Sequence, residues 1–419
     1  MQMRRVGAIA AWVCAAMFLV PACGSGGSGG PGNTSGPIKV GVLTSLSGAA
    51  TANYAGTEPG VKARFAAYQA ANGKCAARGF DVVMGDDQST PQGALTAAQK
   101  LVQQDRVYAV LPVSTYFYGA GQYAGTQASK TPFLGAGFDG GEQWFNPKYD
   151  NLFAATGGTD YNKTATTLGD YWKKIGGTKA AVLSYNTPSA TKSAEGAALS
   201  AEHAGLTRGY VNIRIPFGTT DVGPYVLGIK ESGADVLYAP VIPDTGFALM
   251  TGLRQAGVEM KSVLLATGYG ADLLKSPPAI AAGQGVGFMT SFAPTEMNTE
   301  ATRAFSAALK QYAGSETGIP SFSMAVGWVS ADLLIEGLEK AGCNAGQEQL
   351  MSALRTDKTW TAGGLFPKPA DFENRGSYSV GSPGNCTFIS ILRGDKFVPD
   401  TNGAPACGEQ IPDLKVVPK

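Results

Sequence analysis

Short apolar runs alternate with stretches of helical spacing along this chain, and the alternation plays through twice. In the first round, residues 38–43, 80–84, 107–111 and 131–134 read as strands. Between them, 54–71, 90–104 and 116–129 have helical spacing, with Pro91 in a first turn, where its missing N–H is no loss. The second round has strands at 180–184, 211–215, 236–239 and 263–266, with helices over 189–204, 222–231 and 245–255. A strand at 285–289 and helices near 299–312 and 323–341 follow. Strands that feed helices that feed strands argue for parallel sheets covered by helices on both faces. The first unit is expected to end near residue 155 and the second near 288.

A chain of 419 residues suits two such units. Its formal net charge of +1 steers it toward neither nucleic acid nor an anionic surface. It has a single histidine, His203, which lowers the weight of metal-dependent and acid–base hydrolases. No zinc cluster, Walker A loop or Cys-x-x-Cys is present, so neither metal nor cofactor is expected.

The N-terminus sets the compartment. Arg4 and Arg5 precede an apolar run over 6–20, and Val20-Pro21-Ala22-Cys23 follows. Positive, apolar, small is the order of a secretory signal peptide, and the run is short for a membrane span. Its end resembles the lipobox of bacterial lipoproteins. That resemblance implies a signal peptide over 1–22 and a lipid on Cys23, anchoring the protein to the outer face of the cytoplasmic membrane. An ordinary cleaved signal, or an uncleaved anchor, is the alternative. Residues 24–36, GSGGSGGPGNTSG, carry no core-forming side chain and read as a tether over 23–37. Four cysteines remain beyond Cys14 and Cys23, and an even count in an exported chain suggests two disulfides in any of three pairings.

IKVGVLTSLS at 38–47, GDDQSTPQGALTAAQKLVQQDRVYAVLP at 85–112, Ser184-Tyr185-Asn186, and the stretches 234–240, 252–257 and 363–399 together resemble solute-binding proteins of branched-chain amino-acid ABC transporters. The resemblance spans nearly all of the chain after the tether. It implies an α/β fold of two Rossmann-like lobes with parallel sheets joined by a three-strand hinge, the type I periplasmic binding protein. Lobe one takes 38–155 plus 290–362, and lobe two takes 156–289 plus 363–419. The implied partners are a small-molecule ligand in the interlobe cleft, the permease subunits of an ABC importer, and the membrane through the lipid. The same arrangement suggests pairing Cys75 with Cys343 and Cys386 with Cys407.

By the same resemblance, the loop after the first strand would offer Ser45 and Ser47 to the ligand, with Tyr54 beyond. The third-strand loop would offer Ser114, Thr115 and Tyr116, and the fourth-strand loop Gly137 and Phe138. Lobe two would close with Tyr185, Asn186, Thr187, Asp244 and Tyr269. Plainer roles compete: Ser45 and Ser47 as helix caps, Asp244 as an N-cap, and Phe138 and Tyr269 as packing residues. Asp86 and Asp87 fit turn and capping roles better than catalysis.

Amino-acid-binding members place an acidic residue in the loop after the fourth strand of lobe two to hold the ligand's ammonium group. Here that loop is Ala266-Thr267-Gly268-Tyr269-Gly270-Ala271, with Gly268 or Tyr269 at the expected place. An unpaired buried ammonium is costly. The sequence therefore predicts a carboxylate-bearing aromatic or aliphatic ligand, unless Asp244 substitutes. Gly135-x-Gly137-x-x-Gly140 matches a dinucleotide pattern but follows the fourth strand instead of the first. The expected function is binding without chemistry, in transport or, alternatively, as a ligand-sensing lipoprotein that signals to a membrane partner.

Overall fold

The computed structural model describes residues 36–156, 159–379 and 381–418. The expected signal peptide, Cys23 and nearly all of the tether lie outside these residues. Among the described residues no helix is long and apolar enough to cross a membrane.

The first sheet has strands β1 (Ile38–Thr44), β2 (Phe80–Asp86), β3 (Ala109–Pro112), β4 (Phe133–Gly135) and β5 (Leu152–Ala154), in the order β2-β1-β3-β4-β5. Every pairing is parallel. Its central strands are near-continuous apolar runs because both faces are covered. One face packs on the helices Thr57–Ala70 and Phe322–Ala341, and the other on Pro91–Gln99 with the segment around Phe117 and Trp144. The first two of these helices lie in close contact: a side chain at Gly60 would put its Cβ 2.1 Å from the Met324 carbonyl oxygen.

The second sheet contains β6 (Lys179–Tyr185), β7 (Thr207–Ile215), β8 (Val236–Ala239), β9 (Ser262–Leu265), β10 (Gly287–Thr290), β11 (Cys386–Arg393), β12 (Lys396–Pro399) and β13 (Ala406–Cys407). The order is β12-β11-β10-β9-β8-β6-β7, with β13 beside β11. β6 to β10 run parallel, and β11 returns antiparallel to β10.

The chain crosses between the two lobes three times: after β5, after β10, and before β11. Between the second and third crossings, the helices Glu300–Tyr312, Phe322–Ala341 and Gln347–Arg355 build onto the first lobe. Disulfides join Cys75 to Cys343 at the outer end of the first lobe and Cys386 to Cys407 between β11 and β13.

Two helices and four strands differ from the sequence reading. The helix expected over 54–71 is split into Thr51–Tyr54 and Thr57–Ala70. At the break, the Gly56 N–H donates to Ser323 Oγ (3.1 Å), a tertiary bond that local propensity does not register. The helix expected over 116–129 is reduced to a 3-10 turn at Phe117–Gly119 and a short helix at Gly121–Gly125. β5 and the strands β11–β13 have no counterpart in the sequence reading.

Candidate functional site

β1, β3 and β4 end toward a cleft that β6, β8 and β9 approach from the second lobe. The loops beyond the carboxyl ends of parallel strands therefore face one another, as open α/β sheets arrange their ligand sites. Between them lies a cavity of about 240 Å³. The lobes also touch at its edge. Gly140 (φ 79°) backs onto the start of helix Pro188–His203, where an added Cβ would stand 2.6 Å from the Ser189 nitrogen.

Lobe one supplies an aromatic wall. Tyr54, Phe138 and Phe322 line the cavity, with ring centroids 6.5 Å apart for Tyr54 and Phe138 and 5.3 Å for Phe138 and Phe322. The Tyr54 hydroxyl accepts the Thr115 N–H at 3.0 Å, and burial pushes its pKa up, so it is fixed and neutral. Thr115 lines the cavity beside it.

Lobe two supplies Tyr185 and Phe217, 4.7 Å apart, together with Val241, Ile242 and Tyr269. The Tyr185 hydroxyl shares a 2.6 Å hydrogen bond with Thr245 Oγ1 and accepts the Ile242 N–H at 3.3 Å. Tyr269 donates to the Glu296 carboxylate at 2.6 Å, tying its loop to the second crossing.

Of the residues expected to hold ligand, Tyr54, Thr115, Phe138, Tyr185, Thr187 and Tyr269 line the cavity. The others are turned elsewhere, for identifiable reasons. Ser47 donates to Asp86 at 2.6 Å, and the same carboxylate accepts the Leu46, Ser47 and Gln88 N–H groups. Buried Asp87 accepts from Ser45 Oγ at 2.7 Å, from Ser114 Oγ, and from the Ser89 N–H. The two carboxylates thus take up the hydroxyls on which the site reading relied. Tyr116 packs half-buried against the aromatic cluster of lobe one. Gly137 (φ 66°) turns the loop that presents Phe138. Asn186 is exposed, and exposed Asp244 sits in the first turn of Pro243–Gln255, where a negative charge suits the helix dipole.

Sequence reasoning missed Tyr161, Lys163, Lys192, Ser193 and Tyr238, all of which line the cavity. Tyr161 and Lys163 lie on the first crossing, TDYNKT, a stretch with no periodicity of its own. Its position between two α/β units was the available signal, since a crossing must pass the cleft. Lys163 Nζ donates to the Gly376 carbonyl at 2.7 Å. Lys192 and the Tyr161 phenol have no hydrogen bond or ion pair among the described residues, and burial raises the Tyr161 pKa, keeping it a donor. Among the described residues no aspartate or glutamate lines the cavity. Nor does any group of three or more His, Cys, Asp or Glu side chains there stand placed to hold a metal.

Residues 37–381 match the family described as periplasmic binding protein, and the chain belongs to that family. Solved structures share the fold at low identity. An R. palustris ABC-transporter solute-binding protein in complex with benzoate has 18% identity and a TM-score of 0.70, covering 91% of this chain and 99% of that one. A Thermus thermophilus branched-chain amino-acid transporter protein with bound valine has 18% identity and a TM-score of 0.72, with 89% and 97% covered. A fatty-acid ABC-transporter substrate-binding protein from Thermomonospora curvata has 19% identity and a TM-score of 0.71, with 90% and 94% covered. No curated protein matches the sequence.

Proposed function

We propose that this protein is an exported, lipid-anchored solute receptor that captures a small carboxylate-bearing molecule and delivers it to an ABC permease. The reading rests above all on the charge of the cleft. Lys163 and Lys192 line it, and no carboxylate among the described residues does. A ligand ammonium would meet no cavity-lining carboxylate among the described residues and would be costly to bury, whereas a carboxylate would meet Lys192, unpaired among the described residues, the Tyr161 phenol and Lys163, whose ammonium also pairs with Asp160 at 3.6 Å. The aromatic wall of Tyr54, Phe138 and Phe322 suits an apolar body on the same molecule. Proteins of the same fold that bind benzoate or carry fatty acids make this class a natural one to test. The lipid on Cys23 and the tether would keep the receptor beside its permease, and closure of the lobes would give the liganded protein a distinct shape.

The test is thermal unfolding of the purified protein against matched pairs: organic acids, their primary amides, and leucine and valine. A ligand that binds only the folded state adds about 2.7 kcal/mol of stability at a hundredfold excess over Kd. Shifts with acids and none with the amides support the reading. Shifts with leucine or valine alone would overturn it.

A further inference from the structure

The cavity does not end at the two cleft walls. It continues into lobe two, between the sheet and the helix Pro188–His203. The helix side of this branch is Ser193, Gly196, Ala197 and Ser200, which share one face at three- and four-residue spacing. Tyr238 and Met289 form the sheet side. Leu168 marks the far end, next to the Gly169 N–H that donates to Ser200 Oγ at 2.9 Å. From Ser189 at the cleft to Ser200 is eleven residue steps, about 16 Å of helix.

Layers of helix on sheet ordinarily close with few voids larger than a water molecule. Here serine, glycine and alanine stand where larger side chains would fill the gap. The polar groups that line the branch are already engaged: Ser193 Oγ reaches from the helix side to the Tyr238 hydroxyl of the sheet side at 2.8 Å, and Thr164 Oγ1 donates to the Gly196 carbonyl at 2.7 Å. Lys163 and Lys192 border the branch, and nothing charged lines it beyond them among the described residues. A compact ring would be served by the aromatic cleft alone and would leave the branch empty.

We propose that the branch receives the tail of a straight-chain aliphatic carboxylate whose head is held by Lys163, Lys192 and Tyr161. The inference rests on the carboxylate reading of the cleft and narrows it to acids with an extended, flexible tail.

Calorimetric titration of the purified protein with butanoate, octanoate, decanoate, dodecanoate and benzoate tests it. Affinity is expected to rise about fourfold per methylene until the branch is full, with benzoate no tighter than butanoate. Ala197→Leu should narrow the branch, lowering decanoate affinity at least tenfold and butanoate affinity far less. Affinity independent of chain length, or benzoate the tightest of the set, would overturn this inference and leave the carboxylate reading standing. Failure of every acid to bind would overturn both. The chain-length series uses the unaltered protein, so it decides the matter even if the variant does not fold.

Discussion

The two lobes meet over one cavity but use their polar groups differently. In lobe one the hydroxyls nearest the cleft face inward, onto Asp86 and Asp87, and what remains to line the cavity is mainly aromatic. Lobe two leaves Lys192 unengaged among the described residues and opens a branch beneath its first long helix. A carboxylate from each lobe shows the difference as well. In lobe one Asp139 is buried, and burial lifts its pKa to about 6 against the pull of Gly141, Trp144 and Gln143, which donate to it. In lobe two burial also pushes Asp235 upward, but the Lys179 and Thr178 N–H groups and the Lys261 ammonium prevail and hold it well below the usual range. A polar residue at the end of a strand is thus no guide to ligand contact until its nearest carboxylate is known.

This contrast can be broken most forcefully at Asp87. Asp87→Ala should destabilise the protein by about 4 kcal/mol in denaturant unfolding, because two buried hydroxyls and the half-buried Ser89 N–H lose their acceptor. A loss below about 1 kcal/mol would mean those hydroxyls are free to turn to the ligand after all.

Next in size is the acid response. The folded pKa of Asp139 lies above its ordinary 3.8, so the native state holds the proton more tightly than the unfolded chain. Stability from this group is therefore greatest below pH 3.8 and is lost as pH rises to about 6. The loss amounts to about 3 kcal/mol, and Asp139→Asn should flatten that part of the profile of stability against pH. Asp235 works the other way: its contribution is present above the ordinary carboxylate range and is lost as pH falls through its depressed folded value.

Lys192→Gln should weaken carboxylate binding about tenfold, about 1.4 kcal/mol, with an unchanged melting temperature, since the ammonium has no partner among the described residues. Loss of stability in that variant would mark Lys192 as structural. The smallest effect is expected at Phe138→Leu, about threefold in affinity, read by the same calorimetry.

The layered α/β plan was legible because β1, β3, β8 and β9 are buried on both faces and so form short uninterrupted apolar runs. β5 was not, because three residues, LFA, carry too little pattern to separate from a loop. In the site, Tyr54 and Phe138 were legible from their places after strands. Ser45 and Ser114 misled because their partner, Asp87, lies 42 and 27 residues away in sequence. Tyr161, Lys163 and Lys192 carry no local signal in the sequence because a crossing segment and the opening turns of an alanine-rich helix show no period that marks a cleft. Their importance comes from two lobes arriving at the same place.

The packing of helix Thr57–Ala70 on Phe322–Ala341, with Cys75 joined to Cys343 across a separation of 268 residues, also orders events in time. A chain that emerges N-terminus first presents β6 to β10 of lobe two as one continuous piece, which can collapse as it appears. Lobe one has to wait, with one face of its sheet only partly covered by Thr57–Ala70, until the helix Phe322–Ala341 that packs on β3 and β4 arrives about 170 residues after β5. Its early half is therefore the part of this protein most in need of a chaperone, and the second lobe is the loop that the first one closes around.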